Sequence, residues 1–397
     1  MVKRDTKVRG VLRLKKGFGF LIPEGKDADK YEGDFFVPPG NVGDAMDGDL
    51  VLARVDSSRG DDVVVIIKVI ERASDVIVGT IDVRGRQLYF ICQQATEPMI
   101  IEVKFIRKDQ KNRPPEYEPG MKALAKIIEY PDGQRAGKVI LKEVLGPAGD
   151  PDVELRAGRY SYQIPGAFPD EVIQAAAKLS ETIPPNEIEK RRDLRKMGVF
   201  TIDPEDARDF DDAVSVEIKD DGNVLYTIGI HIADVSHYIK EHGAIDTEAY
   251  NRGNSTYLPG EVIPMLPERL SNRICSLVEG EDRLTVSVFA DFSHDLEPIG
   301  YSLTRSVICS KRRFTYDEVD EVLATGTGDF AGEIKILESI GRSLNKMRVQ
   351  REAIDFDLPE NKPILNHEGK VIEIKTVERT WSHRLIEELM IMANEYT

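Results

Sequence analysis

Residues 191–217 read RRDLRKMGVFTIDPEDARDFDDAVSVE and place a dense group of acids between two apolar stretches. VFTI precedes the acids and AVSV follows them, so both flanks are expected to form buried strands. The segment between them is then held against a core, where its negative charges repel one another. Its aspartates are Asp203, Asp206, Asp209, Asp211 and Asp212. A bound cation is the expected compensation for such a group.

The spacing of these acids suits divalent metal chemistry. In an extended chain Asp209 and Asp211 face the same way, and Pro204 favours a turn that returns Asp203 towards them. Carboxylate oxygens suit Mg²⁺ or Mn²⁺, and two such ions about 4 Å apart can activate water and stabilise the leaving oxygen in phosphodiester cleavage. An EF-hand calcium loop is disfavoured, because no register supplies both its Gly at position six and its Glu at position twelve. A structural cation and a solvated acidic surface remain open alternatives.

The residues after this segment predict an α+β domain over 191–397. LYTIGIHIADV and LTVSVFADF have the composition of strands and alternate with helical stretches. One helix is predicted from an apolar stripe at three- and four-residue spacing. The stripe, which is expected to face the core, consists of Phe330, Ile334, Leu337, Ile340, Leu344 and Met347. The last segment, SHRLIEELMIMANEYT, has the same periodicity and reaches Thr397 without a helix stop signal.

The residues before this segment predict two small all-β barrels. Residues 8–72 contain five short apolar runs separated by Gly- and Asp-rich turns, and residues 75–145 repeat that rhythm. A proline-rich connector follows, with one helical run, PDEVIQAAAKL. The predicted boundaries are 1–72 for the first barrel, 73–147 for the second, 148–190 for the connector and 191–397 for the last domain.

Aromatic residues in the first barrel suggest a surface that stacks bases. In KKGFGFLIPE, residues 15–24, Phe18 and Phe20 share one face of a strand. Exposed rings beside lysines can stack unpaired bases of any sequence, which favours single-stranded nucleic acid. The alternative is that the rings fill the barrel. The candidate binding residues here are Lys15, Lys16, Phe18, Phe20, Phe35 and Phe36.

Charge and cysteine content constrain the setting. The net charge is −16, but residues 1–150 carry 25 Lys and Arg against 24 Asp and Glu, so the acidity lies in the remainder. A locally basic face for a polyanion is therefore available. The chain shows no apolar run long enough to span a bilayer. Cys92, Cys275 and Cys309 are widely separated, which is typical of free thiols in the cytoplasm.

Four motifs, in the same order along the chain, resemble those of the RNase II/RNase R family of exoribonucleases. Their sequences are closer to the RNase R members. The motifs are the acidic stretch 191–217, IHIADVSHYI, RGNSTYLPGEVIPMLPERLSNRICSL and SHRLIEELMIMANE. KGFGF followed by DFFV likewise resembles the RNA-binding signatures of cold-shock domains. The resemblance covers nearly the whole chain. It implies a multidomain fold with two all-β OB-fold, cold-shock-like barrels followed by an α+β RNB-type catalytic domain.

The resemblance also implies an activity and a set of site residues. It implies processive, hydrolytic removal of 5′-mononucleotides from the 3′ ends of single-stranded RNA, with Mg²⁺, or Mn²⁺ in its place, at a channel bottom. Asp203, Asp209, Asp211 and Asp212 match the family's catalytic, metal-holding aspartates, whereas Asp206 does not. Tyr257 matches an aromatic residue that stacks on the terminal base. Phe356 is the candidate for the other end of the base stack, with a core ring as its alternative.

The sequence departs from the family in length. The catalytic domain spans only residues 191–397, so it is expected to be incomplete and to lack the family's essential arginine. The apolar face of the last helix is then expected to be exposed. The alternative functions are therefore a catalytically impaired RNA-binding remnant and a metal-bound structural partner in an RNA-processing assembly. Protein partners are expected to come from RNA-decay or ribosome-associated machinery.

Overall fold

The computed structural model divides the chain into two compact units, Met1–Pro165 and Gly166–Thr397. It describes the chain except residues 1–5, 16–17, 32, 57–62, 86, 93–97, 103–116, 132–134, 355–359 and 367–370, and except the side chains of 220, 360 and 377. The candidates Lys16 and Phe356 lie outside the described residues. No helix that the structure describes combines the length and apolar content needed to cross a bilayer.

Unit 1 begins with a five-stranded β-barrel whose strands match the five apolar runs. The strands are β1 (Lys7–Lys15), β2 (Phe18–Pro23), β3 (Phe35–Val37), β4 (Leu50–Val55) and β5 (Val64–Glu71). They lie in the order β3-β2-β1-β4-β5, and a parallel bridge between Phe36 and Val63 joins the two outer strands. Alternate residues point inward, as they must in a barrel, and fill it with aliphatic side chains and Phe35.

A second barrel follows and is closed. Its strands are β6 (Val76–Arg84), β7 (Gln87–Ile91), β8 (Met99–Ile101), β9 (Met121–Glu129) and β10 (Lys138–Pro147), in the order β10-β8-β7-β6-β9. Phe90 is fully buried at its centre. The prediction of two five-stranded barrels is therefore confirmed.

The connector contains more helix than its sequence suggested. The predicted run forms α2 (Asp170–Ala177), and Pro169 lies immediately before its first residue. Two further helices were not predicted, α1 (Pro151–Ser161) and the short α3 (Pro185–Ile188). The start of α1 is stabilised by Asp150, whose side chain accepts hydrogen bonds from the backbone amides of Asp152 and Val153.

Unit 2 is built on a seven-stranded mixed sheet in the order β11-β18-β17-β14-β13-β12-β19. These strands are β11 (Arg192–Asp193), β12 (Val199–Asp203), β13 (Asp212–Asp221), β14 (Val224–Ala233), β17 (Asp282–Phe292), β18 (Pro298–Cys309) and β19 (Arg312–Thr315). Two hairpins stand apart from it, formed by β15 (Thr256–Leu258) with β16 (Glu261–Ile263) and by β20 (Glu360–Leu365) with β21 (Val371–Val377).

Helical segments cover both faces of this sheet. They are α4 (Val235–Tyr238), α5 (Ala244–Arg252), a π-helical turn (Leu270–Ile274), α6 (Tyr316–Thr325), α7 (Ala331–Gln350) and α8 (Trp381–Tyr396). One core lies between the sheet and helices α6, α7 and α8, and includes the predicted stripe of α7. The other contains α2, α5 and the π-helical turn.

The last helix corrects one expectation. Its apolar face was expected to be exposed, but Leu385 and Leu389 are fully buried in the core that α7 and α6 also line. Gly341 allows this close approach, because a Cβ there would lie 2.9 Å from the Leu385 side chain. The residues that cover α8 come from helices about 40 to 60 positions earlier in the chain, which periodicity alone does not reveal.

Candidate active site and nucleic-acid interface

The acidic loop, residues 203–212, connects the end of β12 to the start of β13. A backbone turn follows Pro204, since the Ala207 amide donates to the Pro204 carbonyl at 3.1 Å. At the other end, the Ala233 amide donates to the Asp211 carbonyl at 2.9 Å. The loop is therefore anchored at both ends to neighbouring interior strands of the central sheet.

A buried serine holds the middle of the acidic loop. The Ser276 hydroxyl accepts from the Phe210 amide and donates to the Arg208 carbonyl, both at 3.0 Å. The Leu277 amide donates to the Phe210 carbonyl at 2.9 Å. Arg313 adds a cationic brace, because its guanidinium donates to the carbonyls of Pro204 and Glu205. The loop backbone is thus positioned before any ligand binds.

Two of the four candidate aspartates have buried, unsatisfied oxygens. Asp203 is only 8% exposed, and the Oδ2 atoms of Asp203 and Asp212 have no hydrogen-bond partner among the described residues. Burial, and then the charges of Asp212 and Asp211, raise the pKa of Asp203 to about 7, although the Thr201 side chain and the charge of Arg313 oppose this shift. Burial and the charge of Asp211 raise the pKa of Asp212 to about 6. No cation in the described part of the chain forms a hydrogen bond with either Oδ2 atom.

The other two candidates lie nearer solvent. Asp211 is exposed, yet nearby protein atoms displace part of its water. That desolvation, and then the charge of Asp209, raise the pKa of Asp211. The Tyr257 hydroxyl, on the exposed ring of β15, lies 3.4 Å from the Asp209 Oδ2 atom. Asp206 differs from all four, because Lys362 lies 2.8 Å from its carboxylate and lowers its pKa.

The four aspartates fit a divalent cation only in part. A hard dication would satisfy the unpartnered oxygens of Asp203 and Asp212 and remove their mutual repulsion. However, no group of three or more His, Cys, Asp or Glu side chains in the described part of the chain is arranged to hold a metal ion. Burial and neighbouring charges raise the pKa of Asp203, Asp211 and Asp212, but the four carboxylates do not converge on one point. Asp209 and Asp211 would have to turn inward to complete a site.

Tyr316 is close to these acids and was not predicted. Burial, and then the charges of Asp212 and Asp203, raise the pKa of Tyr316 to about 12. Its ring stacks on His383 with centroids 3.9 Å apart. A sequence signal existed, since Thr315 and Glu318 form a capping box that begins α6 at Tyr316. The sequence did not reveal that β19 pairs in parallel with β12, which places Thr315 beside Asp203.

An aromatic face lies on the first barrel and consists of Phe18, Phe20 and Phe36. Their ring centroids are 5.7 to 5.9 Å apart, and the Lys15 ammonium lies 5.6 Å from the Phe20 ring. Phe36 is opposite Phe20 on the neighbouring strand, so the three rings share one side of the sheet. These rings are half-buried or exposed, which leaves their faces partly accessible.

Phe35 is not part of this face. Its side chain is 3% exposed and packs edge-on against Tyr31 inside the barrel. Adjacent residues of a strand point to opposite sides, so Phe35 and Phe36 cannot both reach the same surface. The structure therefore removes Phe35 from the candidate binding residues.

Comparison with protein families identifies the two units. The model described as "RNB domain" matches residues 191–397, which is about half of the chain. The chain belongs to the RNB family. The models described as "Ribonuclease B OB domain" and "Cold shock domain" match residues 10–69 and 96–169 of this RNB-family chain. The predicted fold class is confirmed.

Relatives of the chain carry the name Ribonuclease R. The chain is 36% identical to Ribonuclease R of Aquifex aeolicus over 396 residues, which are 97% of this chain and 54% of that protein. It is 35% identical to Ribonuclease R of Acidithiobacillus ferrooxidans over 361 residues, 88% of this chain and 79% of that one. The chain thus spans about half the length of the first relative.

A solved structure shares this fold. It is that of Mycoplasma genitalium RNase R in complex with ribose methylated single-stranded RNA. The TM-score is 0.80 at 28% sequence identity, and the match covers 98% of this chain and 61% of that one. The similarity extends through both units of the RNB-family chain.

Proposed function

We propose that this chain carries the hydrolytic centre of a processive 3′-to-5′ exoribonuclease that releases 5′-mononucleotides from single-stranded RNA with Mg²⁺. The observation that carries the proposal is the pair of buried, unpartnered oxygens on Asp203 and Asp212. A protein gains no stability from leaving two such carboxylates without a partner, and perturbed acids of this kind cluster at functional sites. RNB-family membership and relatives named Ribonuclease R support RNA as the substrate.

Each acid has a distinct part in the proposed site. Asp203 and Asp212 would hold the cation from the buried side, while Asp209 and Asp211 would close the site from the solvent side. Bound Mg²⁺ would supply a Lewis acid that activates water and stabilises the leaving oxygen. The hydrogen bonds from Ser276, Leu277 and Arg313 position the backbone that carries these side chains.

Aromatic side chains would hold the strand. Tyr257 is 67% exposed and reaches Asp209, so a terminal base stacked on its ring would lie beside the acids. The aromatic face, with Lys15, would stack bases of single-stranded RNA without regard to sequence. A strand held by stacked bases would remain bound after each cleavage, which would make the reaction processive. The likeness to RNase R solved with single-stranded RNA supports this substrate.

The cellular setting follows from the same chemistry. Three free cysteines are typical of a reducing compartment, which favours the cytoplasm. Structured RNA and ribosomes are found there, so RNA-decay or ribosome-associated proteins are the proposed partners.

One observation favours a second function, an RNA-binding protein that does not cleave. The acids do not form a three-ligand group among the described residues. Since the aromatic face does not depend on a metal, it would still bind single-stranded RNA if the acidic loop failed to do so.

The two functions are separated by incubating this chain with 5′-labelled single-stranded RNA and Mg²⁺. An exoribonuclease gives a ladder that shortens from the 3′ end, and both EDTA and Asp211→Asn abolish it. Asp206→Asn is the matched control, because Asp206 lies in the same loop but is paired with Lys362. Binding without a ladder in the unaltered chain supports the non-cleaving alternative.

A further inference from the structure

A cleft of about 510 Å³ adjoins the acidic loop and has no role in the proposed chemistry. Arg208 and Phe210, which flank Asp209, form one wall. The other wall comes from the π-helical turn and the residue before it, which contribute Arg269, Asn272 and Arg273. We call this feature the arginine cleft. Its volume is in the range of about 300 to 1,000 Å³ that is typical of small-molecule sites.

The arginine cleft is locally positive although its unit is strongly acidic. Arg208 and Arg273 are exposed, and neither guanidinium has an ion-pair or hydrogen-bond partner among the described residues. Arg269 is already engaged, with Glu181 at 2.9 Å and the Leu179 carbonyl at 2.9 Å. Glu268 is the acid in the lining. Two guanidinium groups therefore remain available to an anion.

Both walls are held by one buried framework. Ser276 fixes the backbone of Arg208 and Phe210. The buried Arg283 donates to the carbonyl of Ser276 at 2.7 Å and to that of Arg273 at 2.9 Å. Each wall is thus tied to the other through Ser276 and Arg283. A fixed framework keeps the backbones that carry the two arginines in register and lowers the entropy cost of binding between them.

The backbone of the second wall is unusual. The Cys275 amide donates to the Leu270 carbonyl at 2.9 Å, five residues earlier, which makes this a π-helical turn. Such turns are rare and occur frequently at functional sites. Asn272 and Arg273 of this turn both line the cleft, and the Asn272 amide group adds a neutral donor beside the charge.

We propose that the arginine cleft binds a 5′-mononucleotide, the product of the reaction. This inference rests on the proposed function, which makes one such molecule per cycle. A phosphate monoester carries about two negative charges near neutral pH, and guanidinium groups bind its oxygens in a fork. Arg208 and Arg273 supply two forks, and the Phe210 ring offers an apolar wall for the base. An internal phosphodiester has one charge, so the cleft favours the released product over the strand.

The test is calorimetric titration of the full chain with adenosine 5′-monophosphate in EDTA, which removes any metal-dependent contribution of the acids. We expect Arg208→Gln/Arg273→Gln to weaken binding by about tenfold or more. The matched control is Lys335→Gln/Lys346→Gln, which removes the same charge from exposed positions on α7 and should change affinity by less than about twofold. Thermal unfolding of both double variants verifies that each is folded.

Several outcomes would overturn the inference. It fails if adenosine binds as tightly as its monophosphate, or if both double variants bind alike. It also fails if the arginine variant loses affinity for a short RNA but keeps that for the mononucleotide, because the cleft would then hold the strand. The two proposals are separable. If the chain hydrolyses RNA but does not bind the mononucleotide, only the proposal for the arginine cleft is overturned. If the unaltered chain binds the mononucleotide, as Asp211→Asn should also do, but does not cleave RNA, only the proposed nuclease function is overturned.

Discussion

The aromatic face and the acidic loop are both assigned to RNA, yet they are built in opposite ways. Phe18, Phe20 and Phe36 are partly accessible, contact one another and carry no polar side-chain atoms. The acidic loop instead keeps carboxylate oxygens of Asp203 and Asp212 buried without partners. Binding side chains can be displayed at little cost to the fold. Side chains for metal chemistry are held in an unfavourable charged state that a bound cation or a proton relieves.

The largest expected effect separates the two regions by activity. Asp211→Asn should lower the rate of RNA hydrolysis on the order of a thousandfold or more, since it removes a proposed metal ligand. The same variant should bind single-stranded RNA as the unaltered chain does, because the aromatic face is unchanged. Single-turnover hydrolysis and fluorescence anisotropy measure the two quantities. If Asp211→Asn loses RNA affinity as much as hydrolysis rate, the acidic loop and the aromatic face do not have separate roles.

The converse change tests the aromatic face. Phe18→Ala/Phe20→Ala/Phe36→Ala should weaken binding of single-stranded RNA by at least about fivefold, because each stacked base contributes about 1 to 3 kcal/mol. Hydrolysis at saturating RNA should remain. Tyr89→Ala in the second barrel, where no such ring cluster is described, serves as the control and should leave affinity unaltered. If the control weakens binding equally, the face has no special role.

Stability should distinguish the regions in the absence of metal. Burial raises the pKa of Asp203 to about 7, so the native state binds a proton that the unfolded chain releases near pH 4. Below pH 4 Asp203 is protonated in both states and does not lower the unfolding free energy. As the pH rises towards 7, the native state must accept a buried negative charge, so the unfolding free energy falls. Asp203→Asn should match the unaltered chain near pH 4 and exceed its unfolding free energy by about 1 to 3 kcal/mol at pH 8.

Denaturant titration at several pH values in EDTA measures this difference. Asp206→Asn is again the control, and it should give no gain, because Lys362 lowers the pKa of Asp206. Added Mg²⁺ should stabilise the unaltered chain and not Asp203→Asn. A difference that does not vary with pH would mean that the buried charge carries no penalty.

The smallest expected effect concerns Tyr257, which either stacks a base, like the aromatic face, or positions Asp209 in the acidic loop. If its ring stacks a base, Tyr257→Phe should change RNA affinity by less than about threefold, whereas Tyr257→Ala should lose about 1 to 3 kcal/mol of binding. If its hydroxyl instead positions Asp209, the Phe variant should lower the hydrolysis rate with affinity unchanged. Measuring both rate and affinity for the two variants assigns the residue.

Sequence periodicity predicted the barrels and the α7 stripe because both depend on local patterns. It could not tell which of Phe35 and Phe36 faces solvent, since that depends on the strand register. It missed Tyr316 and Arg313, because their closeness to the acids follows from pairing between strands more than 100 residues apart. The arginine cleft was missed for the same reason, since its walls are separate segments joined through Ser276.

The central claim is that Asp203 and Asp212 hold a divalent cation with the other two aspartates, and anomalous diffraction from crystals soaked in Mn²⁺ tests it most directly. The account predicts a peak at about 2 Å from oxygens of Asp203 and Asp212, with Asp209 or Asp211 turned towards it. The peak should disappear in Asp203→Asn crystals. A Mn²⁺-soaked crystal with no peak between those two carboxylates, or a peak that persists in the variant, would contradict it.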